Sequence, residues 1–382
     1  MSLHLRSCFP AVALAAAMLG PLASPAMAQH YLQTNLTADQ SGVATNTDPN
    51  LVNPWGLSRA SGSPWWISDN GTGLSTLYNA AGVAQSLVVA VPTGDPSQSP
   101  SGTPTGTVFA GGANFMLPDG KPALFMWVTE DGTVSGWNPS LVPITSAVLE
   151  VNTKSKSVFK GAALATVSVG SNSATMLYVA DFRKGRIQVF DESFNHVSWI
   201  EDAFADDEHN GMGHGDDNHL HIPHGYAPFN VQNIGGEIYV TFAKQDSEKH
   251  DEVDGPGLGY VAVFSPWGKF LRQLEHGWWL NGPWGLAMAP GDFGPNSHDL
   301  LVGQFGSGNI AVYDPVTGRF KGLLMDNSNV PIAIDGLWGL SFAGGGNNGT
   351  ATTLYFSAGS DGEAHGLFGT ITPIENTAGN SN

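Results

Sequence analysis

One phrase returns along this chain and limits what it can become. Asn53-Pro54-Trp55-Gly56-Leu57 recurs as Gly282-Pro283-Trp284-Gly285-Leu286 and as Gly336-Leu337-Trp338-Gly339-Leu340, with weaker echoes at Lys160–Leu164 and His224–Phe229. Each phrase leads into a second apolar segment: Trp66–Asn70, Leu177–Asp181, Ile238–Phe242, Leu301–Phe305 and Leu354–Ala358. Self-similarity over tens of residues is the mark of a repeat architecture, in which each unit buries its apolar face against its neighbours. Apolar residues at helical spacing are almost absent. Short alternating runs broken by Asp-Gly, Asn-Gly and Gly-Ser turns predict many short antiparallel strands.

The units are marked by Gly56, Gly106, Gly161, Gly225, Gly285 and Gly339, spaced by 50, 55, 64, 60 and 54 residues. Each interval holds four strands with their turns, so the fold predicted is an all-β, six-bladed β-propeller. The last unit supplies only three strands, while a spare one, Tyr31–Leu36, precedes the first unit. The N-terminal strand is therefore expected to become the outer strand of the last blade and close the ring.

The first 28 residues read as a signal peptide: basic His4 and Arg6, the apolar run Ala11–Leu22, and Ala26-Met27-Ala28 before Gln29. Secretion or export to the periplasm is expected, with a propeller over 29–374 and a disordered polar tail over 375–382. No run reaches the ~20 apolar residues of a membrane-spanning helix. Cys8, the single cysteine, falls inside the signal, which leaves the mature chain without disulfide, thiol nucleophile or thiolate ligand. That mature chain carries 14 Lys and Arg against 33 Asp and Glu. Such a surface argues against nucleic acid and anionic membranes as partners; it suits cations or neutral ligands, and the competing reading, that it serves solubility alone, is the favoured one. A monomer is expected.

In a propeller, the loops that join one blade to the next and the loops between the second and third strands open on one face. Three unusual segments converge there: 206–224, 244–254 and 359–365. They hold His209, His214, His219, His221, His224, His250 and His365, seven of the twelve histidines. Imidazole with carboxylates ligates Zn or Cu, so His224, His250, His365, His219, His221, Asp246 and Asp251 are the candidate metal ligands. The competing reading is a solvated Gly/Asp/Asn/His insertion, and no HExxH spacing occurs. Calcium is a second candidate, on oxygens of Asn53, Asp69, Asn70, Glu130, Asp131, Asp181, Asn281 and Asp335, although Asp and Asn also serve there as turn formers. The repeated tryptophans Trp55, Trp284 and Trp338 are expected to pack between neighbouring blades. Trp278 and Trp279, outside the repeat, are candidates to stack on a ligand.

The WGL phrases, the stretch Ile222–Thr241, the run Ala243–Asp246 with Lys249-His250-Asp251, and the closing His365–Pro373 together resemble a family of uncharacterised secreted bacterial β-propellers. Some of its members carry a PEP-CTERM sorting tail, which this chain lacks, and in outline they are NHL- or lactonase-like. The resemblance implies a fold and an export route but no activity. Three functions follow from the residues. The first is a binding propeller that holds a metal, small molecule, glycan or protein on the acidic, histidine-bearing face. The second is a metal-dependent hydrolase or lyase, with His224, His250 and His365 as ligands or bases beside Asp246, Asp251 or Asp361. The third is an inert scaffold. No organic cofactor is predicted: Gly-x-Ser-x-Gly is absent, and Gly344–Gly346 lacks the helix a phosphate cradle needs.

Overall fold

A computed structural model describes residues 30–169, 172–205, 220 and 222–374. The chain begins with β1 (Tyr31–Ala38) and the two-residue β2 (Asn46–Thr47). Blade one is β3 (Pro54–Ser58), β4 (Trp65–Asp69), β5 (Leu74–Tyr78) and β6 (Val89–Ala90). Blade two is β7 (Pro104–Phe109), β8 (Phe125–Thr129), β9 (Thr133–Trp137) and β10 (Val148–Asn152). Blade three is β11 (Phe159–Val169), β12 (Asn172–Asp181) and β13 (Arg186–Phe190), followed by the helix α1 (Ser198–Ala205). Blade four is β14 (Tyr226–Ile234), β15 (Glu237–Lys244), β16 (Gly259–Phe264) and β17 (Phe270–Gln273). Blade five is β18 (Pro283–Met288), β19 (Leu300–Gln304), β20 (Ile310–Tyr313) and β21 (Phe320–Leu323). Blade six is β22 (Leu337–Phe342), β23 (Leu354–Ala358) and β24 (Leu367–Pro373), completed by β1. The protein is a six-bladed β-propeller.

The predicted closure is present. β1 runs antiparallel to β24 from Tyr31↔Pro373 to Ala38↔Leu367, and β2 adds to its outer side. The buried Tyr31 hydroxyl donates to the Phe293 carbonyl at 2.8 Å, which ties this closing strand to blade five as well. With its first and last strands in one sheet, the ring has no unpaired end blade.

Two details depart from the sequence expectation. Blade three has three strands among the described residues. Outside them packs α1, where Ile200 and Phe204 are buried against blades three and four. The fourth unit's mark is Asn230 rather than Gly225. A Cβ on Gly56, Gly106, Gly161, Gly285 or Gly339 would strike the next inner strand at 2.1–2.6 Å, and for Gly161 the atom struck belongs to Asn230. Asn230 takes the glycine's place in blade four, and its amide donates to the Trp284 carbonyl of blade five at 2.8 Å.

At this same place every inner strand breaks register with its neighbour, for example between Pro54 and Leu57, Phe159 and Gly161, and Pro283 and Leu286. A bulge re-aims the side chain it carries. Here the side chains are Trp55, Thr105, Lys160, Phe229, Trp284 and Trp338. The aromatic members meet at the propeller axis: Trp55 stacks on Trp338 at 3.5 Å between ring centres, with Trp284 edge-on to both at about 6 Å. Phe229, Phe182 and Phe305 complete the plug. The tryptophans are structural, as expected, but they fill the axis instead of wedging between neighbouring blades. Among the described residues no helix is long and apolar enough to cross a membrane.

Candidate functional site

The axis plug makes the channel a closed cup on the face where the loops after β4, β8, β12, β15, β19 and β23 open. Lys160 stands at its floor. Its side chain is fully buried; its ammonium lies 4.9 Å from the ring centre of Trp55, a cation–π distance, and bonds Glu130 at 2.5 Å and Asp251 at 3.1 Å. Glu130 also accepts from Asn70 at 2.8 Å. Asn53 donates to Asn70 at 3.4 Å and to Glu363 at 3.3 Å, and its carbonyl oxygen accepts from Trp338 Nε1 at 3.0 Å. On the other side Asp251 bonds His250 Nδ1 at 2.9 Å. One polar network thus joins blades four, three, two, one and six around the cup.

The long loop between β15 and β16 delivers His250 and Asp251. Asp246 builds its tip by accepting the His250 N–H at 2.9 Å, while its own N–H donates to the Asp251 carbonyl at 2.8 Å. Lys249 takes a left-handed φ of 54° at that turn. Farther along, Gly255 N–H donates to Asn281 at 2.6 Å and fixes the loop's return to blade five. Asp246 is therefore a turn former whose carboxylate bonds backbone.

The electrostatics of the cup are one-sided. Glu130, Asp251, Glu252, Asp254 and Glu363 face one ammonium and one imidazole. Burial would lower the Lys160 pKa, yet the fields of Glu130, Glu252 and Asp251 outweigh it and hold the ammonium well above its usual value. Hydrogen bonding to His250, with Lys160 nearby, keeps the Asp251 carboxyl below its usual range, and the same bond raises His250. The others go the opposite way. Burial pushes Glu252 up to about 8, with Asp254 and Glu363 adding repulsion. Burial and the charge of Glu130 push Glu363 to about 7, and burial pushes Asp254 to about 6. Burial is the leading cause for all three, and for Glu252 and Glu363 the neighbouring acids add to it.

The remaining sequence candidates sit elsewhere or lie outside the described residues. His365 turns outward to Asp39 at 2.8 Å and to Gln40 at 2.6 Å. His224 is exposed just before β14. His219 and His221, with His209 and His214, lie outside the described residues. Trp279 stacks on Phe320 at 3.9 Å and donates to Tyr313 at 2.7 Å, whereas Trp278 is 64% exposed. Asp361 is held by its N–H on Asp335 at 2.8 Å. Of the oxygens proposed for calcium, Asn53, Asn70 and Glu130 belong to the cup network. Asp69, Asp131 and Asp181 instead accept backbone N–H groups of neighbouring strands and connections, from Thr76, Gly94 and Val158. Glu130, His250 and Asp251 bring ligand atoms within 4.8 Å of one another, but Lys160 already occupies the space beside two of them.

Sequence reasoning missed Lys160, Glu252, Asp254 and Glu363. Lys160 had a signal: a lysine at the repeat position held elsewhere by Trp55, Trp284 and Trp338. The three acids had a weaker one: loops 244–254 and 359–365 are expected on this face, but nothing in the sequence singles Glu252, Asp254 and Glu363 out from the other acids there.

No family model matches this chain. Two proteins of Acanthamoeba polyphaga mimivirus are similar to it over 342 residues, 88% of this chain: the uncharacterized protein R648, 31% identical over 78% of its length, and the uncharacterized protein L690, 32% identical over 84%. Among solved structures, a glucose dehydrogenase superposes with a TM-score of 0.50 at 13% identity, covering 89% of this chain and 99% of its own. Virginiamycin B lyase from Staphylococcus aureus superposes at 0.46 with 11% identity, covering 91% and 100%. At such identities the likeness concerns the fold alone. Relationship rests on the sequence matches, and by these the chain belongs to the same family as the mimivirus proteins R648 and L690.

Proposed function

We propose that this propeller is a binding protein whose cup holds a cation, either a divalent metal ion or the ammonium group of a small organic molecule. The observation that carries the reading is the surplus of carboxyls: Glu130, Asp251, Glu252 and Glu363 lie in the field of a single buried ammonium, with Asp254 beside Glu252. Lys160 neutralises Glu130 and Asp251 from below, which leaves Glu252 and Glu363 as the acids open to an incoming cation. Oxygen ligands of this kind suit a hard ion such as calcium better than the imidazole-rich set Zn or Cu prefers. Export through the N-terminal signal, kinship with secreted bacterial propellers and a monomeric state belong to the same proposal.

Titration calorimetry with calcium, zinc and putrescine separates the sources of charge. Saturable binding of one of them, lost in Glu252→Gln/Glu363→Gln, supports the reading; absence of binding by all three refutes it.

The His250–Asp251 pair favours a second reading. A carboxylate on Nδ1 orients an imidazole with Nε2 free to take a proton, the arrangement of a general base in a hydrolase or lyase. Turnover of lactone or ester substrates that His250→Gln abolishes without loss of cation binding would support it.

A further inference from the structure

The opposite mouth of the channel has a different character. Between the ends of the inner strands lies an open groove of about 330 Å³, lined by Arg59, Thr107, Phe109, Leu164, Gln232 and Ser341 among others. A neighbouring hollow shares Arg59, Gln232 and Ser341 and extends past Met288 to Phe342. Neither of these, nor the throat above them, has an Asp or Glu in its lining. In a chain with 33 acidic and 15 basic residues, an acid-free mouth around an arginine is a distinct chemical environment.

Arg59 is held in place and left unpaired. Its Nε donates to the Phe342 carbonyl at 2.9 Å, and its guanidinium lies 5.7 Å from the ring centre of Trp65. Gly344 makes the space: a Cβ there would fall 1.9 Å from Nη1. Among the described residues no carboxylate pairs with this side chain and nothing accepts from its two terminal nitrogens. Gln232 is exposed, and its side-chain amide is likewise without a hydrogen-bond partner among them. A fixed guanidinium with a free edge matches the two oxygens of a carboxylate. Phe109, Leu164 and Met288 beside it offer an apolar contact that an inorganic anion would not use.

We propose that this mouth binds a small organic carboxylate, its oxygens on Arg59 and Gln232 and its apolar body against Phe109, Leu164 and Met288. The axis plug of Trp55, Trp284 and Trp338 separates this site from the acidic cup, so the two stand or fall independently.

The test is calorimetry on the full chain with benzoate and with inorganic phosphate at pH 7.5, repeated on Arg59→Met and Gln232→Trp. Benzoate binding at least ten times tighter than phosphate is expected, weakened roughly tenfold or more by Arg59→Met, the loss of a charge-assisted pair. Gln232→Trp fills the groove from an exposed position and is expected to block binding even if Arg59→Met fails to fold. No benzoate binding, equal affinity for phosphate, or binding indifferent to the variant that folds would overturn the assignment.

Discussion

Replacing Lys160 by methionine tests the network at its centre. The ammonium is fully buried and compensates Glu130, whose side chain is 12% exposed, and Asp251, 63% exposed. Methionine keeps most of the volume, so the cost is electrostatic. Asp251 retains His250 and water, but Glu130 keeps only Asn70. One uncompensated, largely buried carboxylate costs about 3 kcal/mol, the lower end of the range for a broken buried pair. The lost contact with Trp55 adds up to ~1 kcal/mol. Urea unfolding followed by tryptophan fluorescence at pH 7.5 is expected to show this loss, with Lys160→Met/Glu130→Gln recovering about half of it. The sign with pH follows from the two displaced groups. Lys160 is raised, so its contribution is complete below about pH 10.5 and is lost as pH climbs beyond. Asp251 is depressed, so its contribution is present above about pH 4 and fades as pH falls. The gap between wild type and variant is therefore widest between these limits. A gap under 1 kcal/mol at pH 7.5, or one that persists unchanged to pH 3, would refute the reasoning.

Three other outcomes follow from the same geometry. Glu252 binds a proton more tightly in the folded state than its ordinary 4.5 allows, so wild-type stability falls as pH rises from about 4.5 to about 8. Complete ionisation against that displacement corresponds to ~5 kcal/mol, which the solvent at the cup reduces to about 2 kcal/mol. Glu252→Gln is thus expected to be more stable than wild type at pH 9 and equal to it at pH 4.5, as thermal melts in matched buffers will show. Trp338→Ala empties the axis beside Trp55 and Phe305 and is expected to cost about 3–5 kcal/mol in chemical denaturation. Gly106→Ala puts a methyl 2.6 Å from the backbone nitrogen of Ala162 in the next blade. About 1–3 kcal/mol should be lost in the same denaturation.

The fold was legible because a propeller writes each blade into the chain separately. Pro54-Trp55-Gly56 and its copies combine a strand start, an axis-filling ring and a residue small enough for close approach, so blade number and ring closure followed from counting. The phrase failed where chemistry replaced it. Blade four uses Pro228-Phe229-Asn230, in which an amide bond to Trp284 substitutes for the glycine's clearance, and the eye settles on Gly225 instead. In blade three a helix lies outside the third strand, and α1 is too short to leave a strong period. The site was legible only in part. His250 and Asp251 are adjacent and were named together, whereas Glu363, in a loop already placed on the same face, was passed over for its neighbours Asp361 and His365. His365 lay in the right kind of loop, yet Asp39, the residue just past the closing strand, draws its ring outward, a partner that only the ring closure supplies.

Proton release on cation binding tests the central claim most directly. At pH 7 the Glu252 and Glu363 carboxyls, displaced to about 8 and about 7, together hold roughly one to two protons that a bound cation must expel. Calorimetry of the saturating cation in buffers of different ionisation enthalpy measures that number. The account predicts release of about one proton or more per cation at pH 7, falling toward zero by pH 9. Binding with no proton release at pH 7, or release that persists undiminished at pH 9, would contradict it.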